Sequence, residues 1–281
     1  MRGMRRAAAL AALALTGVSA WAQPGAARIE LPARGLFDFT EGTIEAWVMF
    51  EFDPRGWQED RGVYQWRGRW FTFEAPATET DLGAEVVIEY GLKNHGRLGR
   101  IEPGCNWRTA FYVDGEKVPH PLLPACTDLE PGTWHHFALT WTGAQVVRAY
   151  IDGELAQEME FPWAIARDVP GAARIVIGHP QISGFNFIAI DDLRISSVAR
   201  RPEDLGFAHT PLTPDPYTLL LLDFEDIEQA DGQMLVRPAV MALADGPERL
   251  PVAGGRLIDG RTGRGLAMNT AVPEYQAGEA Q

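Results

Sequence analysis

Residues Gly132 to Phe161, GTWHHFALTWTGAQVVRAYIDGELAQEMEF, read as three consecutive strands joined by two short turns, and that reading decides the fold class. Between Trp134 and Trp141 the side chains fall into two alternating sets: His135, Phe137, Leu139 and Trp141, then Trp134, His136, Ala138 and Thr140. Such alternation marks a strand, because successive side chains of extended backbone point to opposite faces. Thr142-Gly143-Ala144-Gln145 supplies a turn, Val146 to Ile151 is a second β-branched and aromatic run, and Asp152-Gly153 is a dipeptide favoured by two-residue hairpins. Leu155, Gln157, Met159 and Phe161 share one face of the next strand. The stretch predicts an antiparallel meander and an all-β protein.

Upstream, Arg28 to Leu31 is a short strand stopped by Pro32. Ile44, Ala46, Val48 and Phe50 form one face of a longer one, with Glu45, Trp47 and Met49 on the other. Both faces carry large apolar groups, which places this strand well inside a layered stack. Phe71 to Phe73 and Val86 to Tyr90 are further strands, and Lys93 to Leu129, rich in Gly and Pro, reads as a long excursion with another strand and turn at Phe111 to Gly115. Downstream, Arg174 to Ile177 and Phe185 to Ile195 are strands, and Ser196 to Leu205 contains a short helical turn around Pro202.

Asp53 to Trp70 mixes Trp57, Tyr64, Trp66 and Trp70 with Arg55, Glu59, Asp60, Arg61, Arg67 and Arg69. Aromatic rings beside charges can form a sugar-binding platform, the ring covering the apolar face of a pyranose while the charges take its hydroxyls. The competing reading sends the aromatics into the core while the arginines extend outward. Trp107, beside Cys105, is a further candidate contact or a cap on the core. In Ile190-Asp191-Asp192-Leu193 the apolar parity shifts across the acidic pair, which predicts a bulge. The two carboxylates are candidate calcium ligands, because calcium takes hard oxygen donors; the alternative is an ion pair with an arginine.

Met1 to Ala22 has a basic start, an apolar run from Ala7 to Val18 and an Ala20-Trp21-Ala22 cleavage signal. These are the parts of a secretory signal peptide, so the mature protein is expected to begin at Gln23 and to be secreted or periplasmic. Loss of the three leader arginines takes the formal charge from -13 to -16. Such an acidic chain argues against nucleic acid and against anionic membrane surfaces as partners. The only cysteines, Cys105 and Cys126, lie in the exported part. In an oxidising compartment they are expected to form a disulfide, stabilising by roughly 3 kcal/mol through loop closure, with free thiols or a metal pair as the alternative.

Taken in order, Glu45-Ala46-Trp47-Val48, Trp134 to Trp141, Tyr150-Ile151-Asp152-Gly153 and Ile190 to Ile195 resemble the laminin-G-like, concanavalin A-like jelly-roll family, over roughly Arg28 to Leu205. The resemblance implies a sandwich of two curved antiparallel sheets and an exported, mostly non-catalytic module for glycan binding or adhesion, in several members with calcium. It makes Trp47, Trp134, His136 and Trp141 framework and Asp191 a calcium ligand. The domain is expected over residues 23–208, followed by a Pro-rich connector over 209–218 and a C-terminal segment over 219–281. That segment departs from the pattern. Its Leu219 to Phe224 strand and Gly260 to Met268 hairpin look like pieces that usually precede the Glu-Ala-Trp-Val strand, so a permuted arrangement is expected, the tail strand filling the family's opening position. Asp223, Glu225 and Asp226 would then approach Asp191.

Related sandwiches include glycosidases and lyases, but no E-x-D-x-E or E-x-D-x-x-E pattern, Gly-x-Ser-x-Gly elbow, phosphate loop or His-Glu-x-x-His occurs. The sequence therefore predicts a non-enzyme that binds a glycan or cell-surface polymer; the alternatives are a structural or adhesive protein joined to surface proteins and, third, a polysaccharide-degrading enzyme.

Overall fold

The computed structural model describes residues 27–51, 66–75, 84–95, 100–113, 116–117, 122–126, 132–143, 146–160, 168–179, 188–208 and 211–269. The first strands are β1 (Ile29–Pro32), β2 (Gly42–Phe50), β3 (Trp66–Ala75), β4 (Ala84–His95), β5 (Arg100–Val113), β6 (Glu116–Lys117) and β7 (Leu122–Cys126). The meander follows as β8 (Trp134–Thr142), β9 (Val146–Ile151) and β10 (Glu154–Glu160), then β11 (Arg174–His179) and β12 (Ile188–Ser196). The tail adds β13 (Thr218–Leu222), β14 (Ile227–Ala230), β15 (Gln233–Val236), β16 (Val240–Met241), β17 (Leu250–Val252), β18 (Arg256–Asp259) and β19 (Arg264–Ala267).

Two antiparallel sheets make the sandwich. One runs β1-β11-β3-β4-β5-β6 with β7 also on β5; the other runs β10-β9-β8-β2-β12-β13-β16, with β19 on β12 and β18 on β19. A small third sheet, β14-β15-β17, joins the first strand through the bridge Arg28↔Ala253. The predicted meander is present with its Asp-Gly turn: Asp152 and Gly153 both have positive φ, 50° and 80°. Alternation then sorts the side chains. Ile44, Ala46 and Val48 of β2 and Phe137, Leu139 and Trp141 of β8 enter the core against Phe71 and Phe73 of β3 and Ile175 and Ile177 of β11. Phe37 stacks on Phe73 at 4.4 Å and on Trp141 at 5.2 Å, closing one end. Burying each such ring is worth about 1.5–3 kcal/mol.

Two expectations are corrected. Trp70 is no ligand contact: it is fully buried, edge-on to Phe137 at 5.6 Å. The register of β3 on β4 shifts between Arg69 and Phe71, so an irregularity at Trp70 lets two successive residues, Trp70 and Phe71, both enter the core. The Gly- and Pro-rich excursion is largely strand, because Pro103 and Gly104 fall within the register shift between Leu92↔Cys105 and Asn94↔Ile101, where no regular ladder bond is lost. The same strand pairs with β7 so that Cys105 lies directly opposite Cys126.

β12 organises the second sheet. One edge carries β2; the other is shared end to end by β13, through Leu193↔Leu222, and β19, through Ala189↔Ala267. The tail therefore belongs to the same sheet as the meander. Between β12 and β13, residues 197–208 run back onto the sheet's outer face, with a 3-10 turn at Pro202–Asp204, and Leu205 packs on Ala138 and Tyr150 there.

Candidate functional site

The outer face of the second sheet holds two buried polar centres and one exposed aromatic platform. Glu45 heads the first centre. It is fully buried, on the β2 face opposite the core. Its Oε1 accepts from Arg194 Nε at 2.7 Å and Nη2 at 2.5 Å; its Oε2 accepts from the Gly206 amide at 2.6 Å and from His136 Nε2 at 3.0 Å. A buried carboxylate requires such compensation. Burial alone would raise the Glu45 pKa, but the hydrogen bond from His136 and the charge of Arg194 outweigh it and hold the group below its ordinary range. Arg200 extends the network, lying 3.8 Å from Glu45 and donating from both Nη atoms to Asp215 at 2.8 Å. Gly206 fits closely: a Cβ there would come within 2.7 Å of Leu212 Cδ2, 3.0 Å of His136 Nε2 and 3.1 Å of Glu45 Oε2, so a larger residue would have to push them aside. The network fastens Arg200, Asp204, Gly206 and Asp215 onto the sheet and occupies both oxygens of Glu45.

Asp191 and Asp192 form the second centre. As predicted, the β12 register shifts between Asp191 and Arg194, and Asp192 takes φ 47°. The bulge falls where the neighbour on that edge changes from β19 to β13. Asp191 Oδ1 accepts from the Asp192 amide at 2.8 Å and Oδ2 from the Thr262 amide at 3.1 Å; Asp192 Oδ2 accepts from the Leu212 amide at 3.4 Å. Neither makes an ion pair with an arginine among the described residues. Burial, reinforced by the charge of Asp192, pushes Asp191 up to about 7. Burial also lifts Asp192 to about 6, with Asp223 and Glu225 adding to the rise against the Leu212 amide. The strand pairing Leu193↔Leu222 brings Asp223 beside the pair; its Oδ1 accepts from the Glu225 amide at 3.3 Å.

Trp47 centres the platform. His136 meets its ring edge-on at 5.3 Å, Phe207 lies 6.1 Å away, and the Arg261 guanidinium stands 4.9 Å from the ring centroid. Trp47 Nε1 and His136 Nδ1 are buried without a hydrogen-bond partner. Phe207 is 46% exposed, an unusual position for a large ring, and rests on the hairpin where a Cβ at Gly153 would meet it at 2.6 Å. Trp134, partly buried, reaches over Gly265 of β19, whose Cβ would stand 3.2 Å from its ring. An exposed ring, Phe207, and the Arg261 guanidinium thus both lie against the buried Trp47.

Of the sequence candidates, Trp57 and Tyr64 lie outside the described residues. Trp66 is on β3 opposite Leu92, and Trp107 is on β5 opposite Tyr90, both in the sheet across the core from this platform. Asp191 and Asp223 are drawn to one sheet edge, whereas Trp70 is in the core. Phe207, Arg261 and the Glu45 network were not anticipated. Glu45 had a legible signal, since an acid on a strand apolar on both faces needs a buried cation. Among the described residues no group of three or more His, Cys, Asp or Glu side chains is arranged to hold a metal ion. For calcium, the donor chemistry of Asp191 and Asp192 fits: both are buried hard-oxygen donors held by backbone amides, and the charge of Arg194 acts on Asp192 without an ion pair.

Comparison with known proteins assigns the fold independently. Residues 23–206 match the laminin G-like family described as the Concanavalin A-like lectin/glucanases superfamily. The Sushi, von Willebrand factor type A, EGF and pentraxin domain-containing protein 1 of Rattus norvegicus is 36% identical over 81 residues, which is 27% of this chain and 2% of that protein. A Bacteroides ovatus protein described as carbohydrate binding superposes with TM-score 0.49 at 16% identity, over 82% of this chain and 56% of that one. The heptameric SAP-like pentraxin of Limulus polyphemus gives TM-score 0.39 at 12% identity, over 66% and 75%. The family match spans most of the chain, and the chain belongs to the Concanavalin A-like lectin/glucanases superfamily.

Proposed function

We propose that this superfamily member is an exported, non-catalytic module that binds a glycan or cell-surface polymer on the outer face of its second sheet. The observation that carries the reading is Phe207, 46% exposed and held over the buried Trp47 and His136 rings beside an exposed guanidinium. A rigid ring covers the C–H face of a sugar at little entropic cost, while nearby donors take its hydroxyls. The absence of catalysis is supported by Glu45, an acid beside the platform, whose oxygens are filled by Arg194, His136 and Gly206. Export rests on the leader, and oxidation of Cys105 with Cys126 on their cross-strand register.

Calcium is proposed at Asp191 and Asp192, with Asp223 near enough to contribute charge. When bound it would supply the positive charge that the pair lacks and fasten the Thr262 and Leu212 segments that dock there. The test is a glycan and polysaccharide array probed with the purified protein, in calcium and again in chelator. Binding to a saccharide class that is lost in Phe207→Ala supports the reading. Retention of all binding in that variant removes the platform from it, and no binding in either condition favours the adhesive alternative with a protein partner.

A further inference from the structure

We infer that the platform is built for an acidic saccharide, one carrying a carboxylate or sulfate, with Arg261 as the residue that receives the anion. The inference rests on the glycan-binding reading and specifies its ligand class. The chain has a surplus of acids, 38 against 25 basic residues, and its arginines are mostly consumed by them. Arg148 pairs with Glu158, Arg174 with Glu74, Arg194 with Glu45, Arg200 with Asp215, Arg249 with Glu228 and Arg264 with Glu225. Among the described residues Arg261 makes no ion pair, although Asp259, Glu225 and Asp191 are close to it in the chain or fold.

Its position explains why. The backbone of the 260–263 turn is tied to Asp191 through the Thr262 amide, and Gly260, where a Cβ would lie 2.6 Å from Asp191 Oδ2, lets that turn press against the carboxylate. The tie turns the Arg261 side chain away from the acids and lays its guanidinium on the Trp47 ring. Arg261 is exposed, so its guanidinium is available to a ligand. A guanidinium can grip a carboxylate or sulfate with two parallel hydrogen bonds, which a lysine does not reproduce. Phe207 packs against the same indole, so one ligand can lay its ring on Phe207 and bring its anionic group to Arg261.

The experiment compares polygalacturonate, alginate and hyaluronan, each with its methyl-esterified or carboxyl-reduced derivative, by affinity electrophoresis and titration calorimetry. Wild type, Arg261→Gln, Arg261→Lys and Phe207→Ala are run together, with thermal unfolding to check that each variant is folded. The expected result is that at least one acidic polymer binds on the order of ten-fold tighter than its uncharged derivative, the scale of one charge-assisted bidentate contact. Arg261→Gln should remove that ratio while leaving residual binding, Arg261→Lys should restore it in part, and Phe207→Ala should weaken charged and uncharged forms alike. Equal binding of acidic and uncharged forms by wild type, or an unchanged ratio in Arg261→Gln, overturns the inference while the glycan-binding reading stands. Binding by no polymer on the panel overturns the inference, and neutral sugars on the array then decide the broader reading.

Discussion

The two polar centres on the outer face lie on neighbouring strands yet differ in kind. Around Glu45 the chain supplies its own compensation: two arginines, an imidazole and a backbone amide saturate one carboxylate, whose proton affinity falls despite complete burial. Around Asp191 and Asp192 two buried carboxylates receive only amide hydrogen bonds, and their proton affinity rises. The first is a finished structural clamp. The second is an acidic pair whose burial favours protons and at which calcium is proposed.

The largest effect expected from breaking this contrast is at the clamp. Glu45→Ala leaves Arg194 buried without its carboxylate and should cost about 3–5 kcal/mol in denaturant unfolding. A loss below roughly 1 kcal/mol would show that Arg194 finds other partners.

A pH series separates the centres. The raised carboxyls of Asp191 and Asp192 bind more protons folded than unfolded, so their contribution is greatest below about pH 4 and is lost as pH rises toward 7. Glu45 and Asp215 are lowered, so their contribution is present above about pH 4 and lost on further acidification. In chelator, stability should therefore peak near pH 4 and fall by on the order of several kcal/mol by pH 8. Calcium should flatten that decline. A flat profile from pH 5 to 8 in chelator would show that the acidic pair is compensated after all.

Asp192→Asn removes one charge from the pair, keeps an acceptor for the Leu212 amide, and should stabilise the chelated protein at pH 8 by about 1 kcal/mol. The smallest stability change is expected at the platform. Phe207→Ala alters a half-exposed ring and should shift stability by about 0.5 kcal/mol, while ligand affinity drops ten-fold or more. A large loss of stability with unchanged binding would make Phe207 a cover for Trp47 alone.

These contrasts also show what the sequence could disclose. The meander, the Asp152-Gly153 turn and the Asp191-Asp192 bulge were legible because each is set by local alternation or turn chemistry. Trp70 was ambiguous for the same reason: a mixed aromatic and arginine run does not say which residues face inward, and the register irregularity at Trp70 broke the parity. Phe207 carried no periodic signal. Arg261 reaches Trp47 only because β19, more than 70 residues after the start of β12, returns to pair with it, and that long-range pairing cannot be read from a local pattern. The excursion's Pro103-Gly104 looked like loop, although a single register shift absorbs both residues.

The most direct test of the central claim, that the outer face holds one self-sufficient centre and one completed by calcium, is a calcium titration of chelator-treated protein at pH 7.5, followed by calorimetry and thermal unfolding. The account predicts saturable binding, a rise in Tm of several degrees for a stabilisation of about 2–3 kcal/mol at saturating calcium, and loss of both in Asp192→Asn. No heat of binding and an unchanged Tm in the wild-type protein would contradict it.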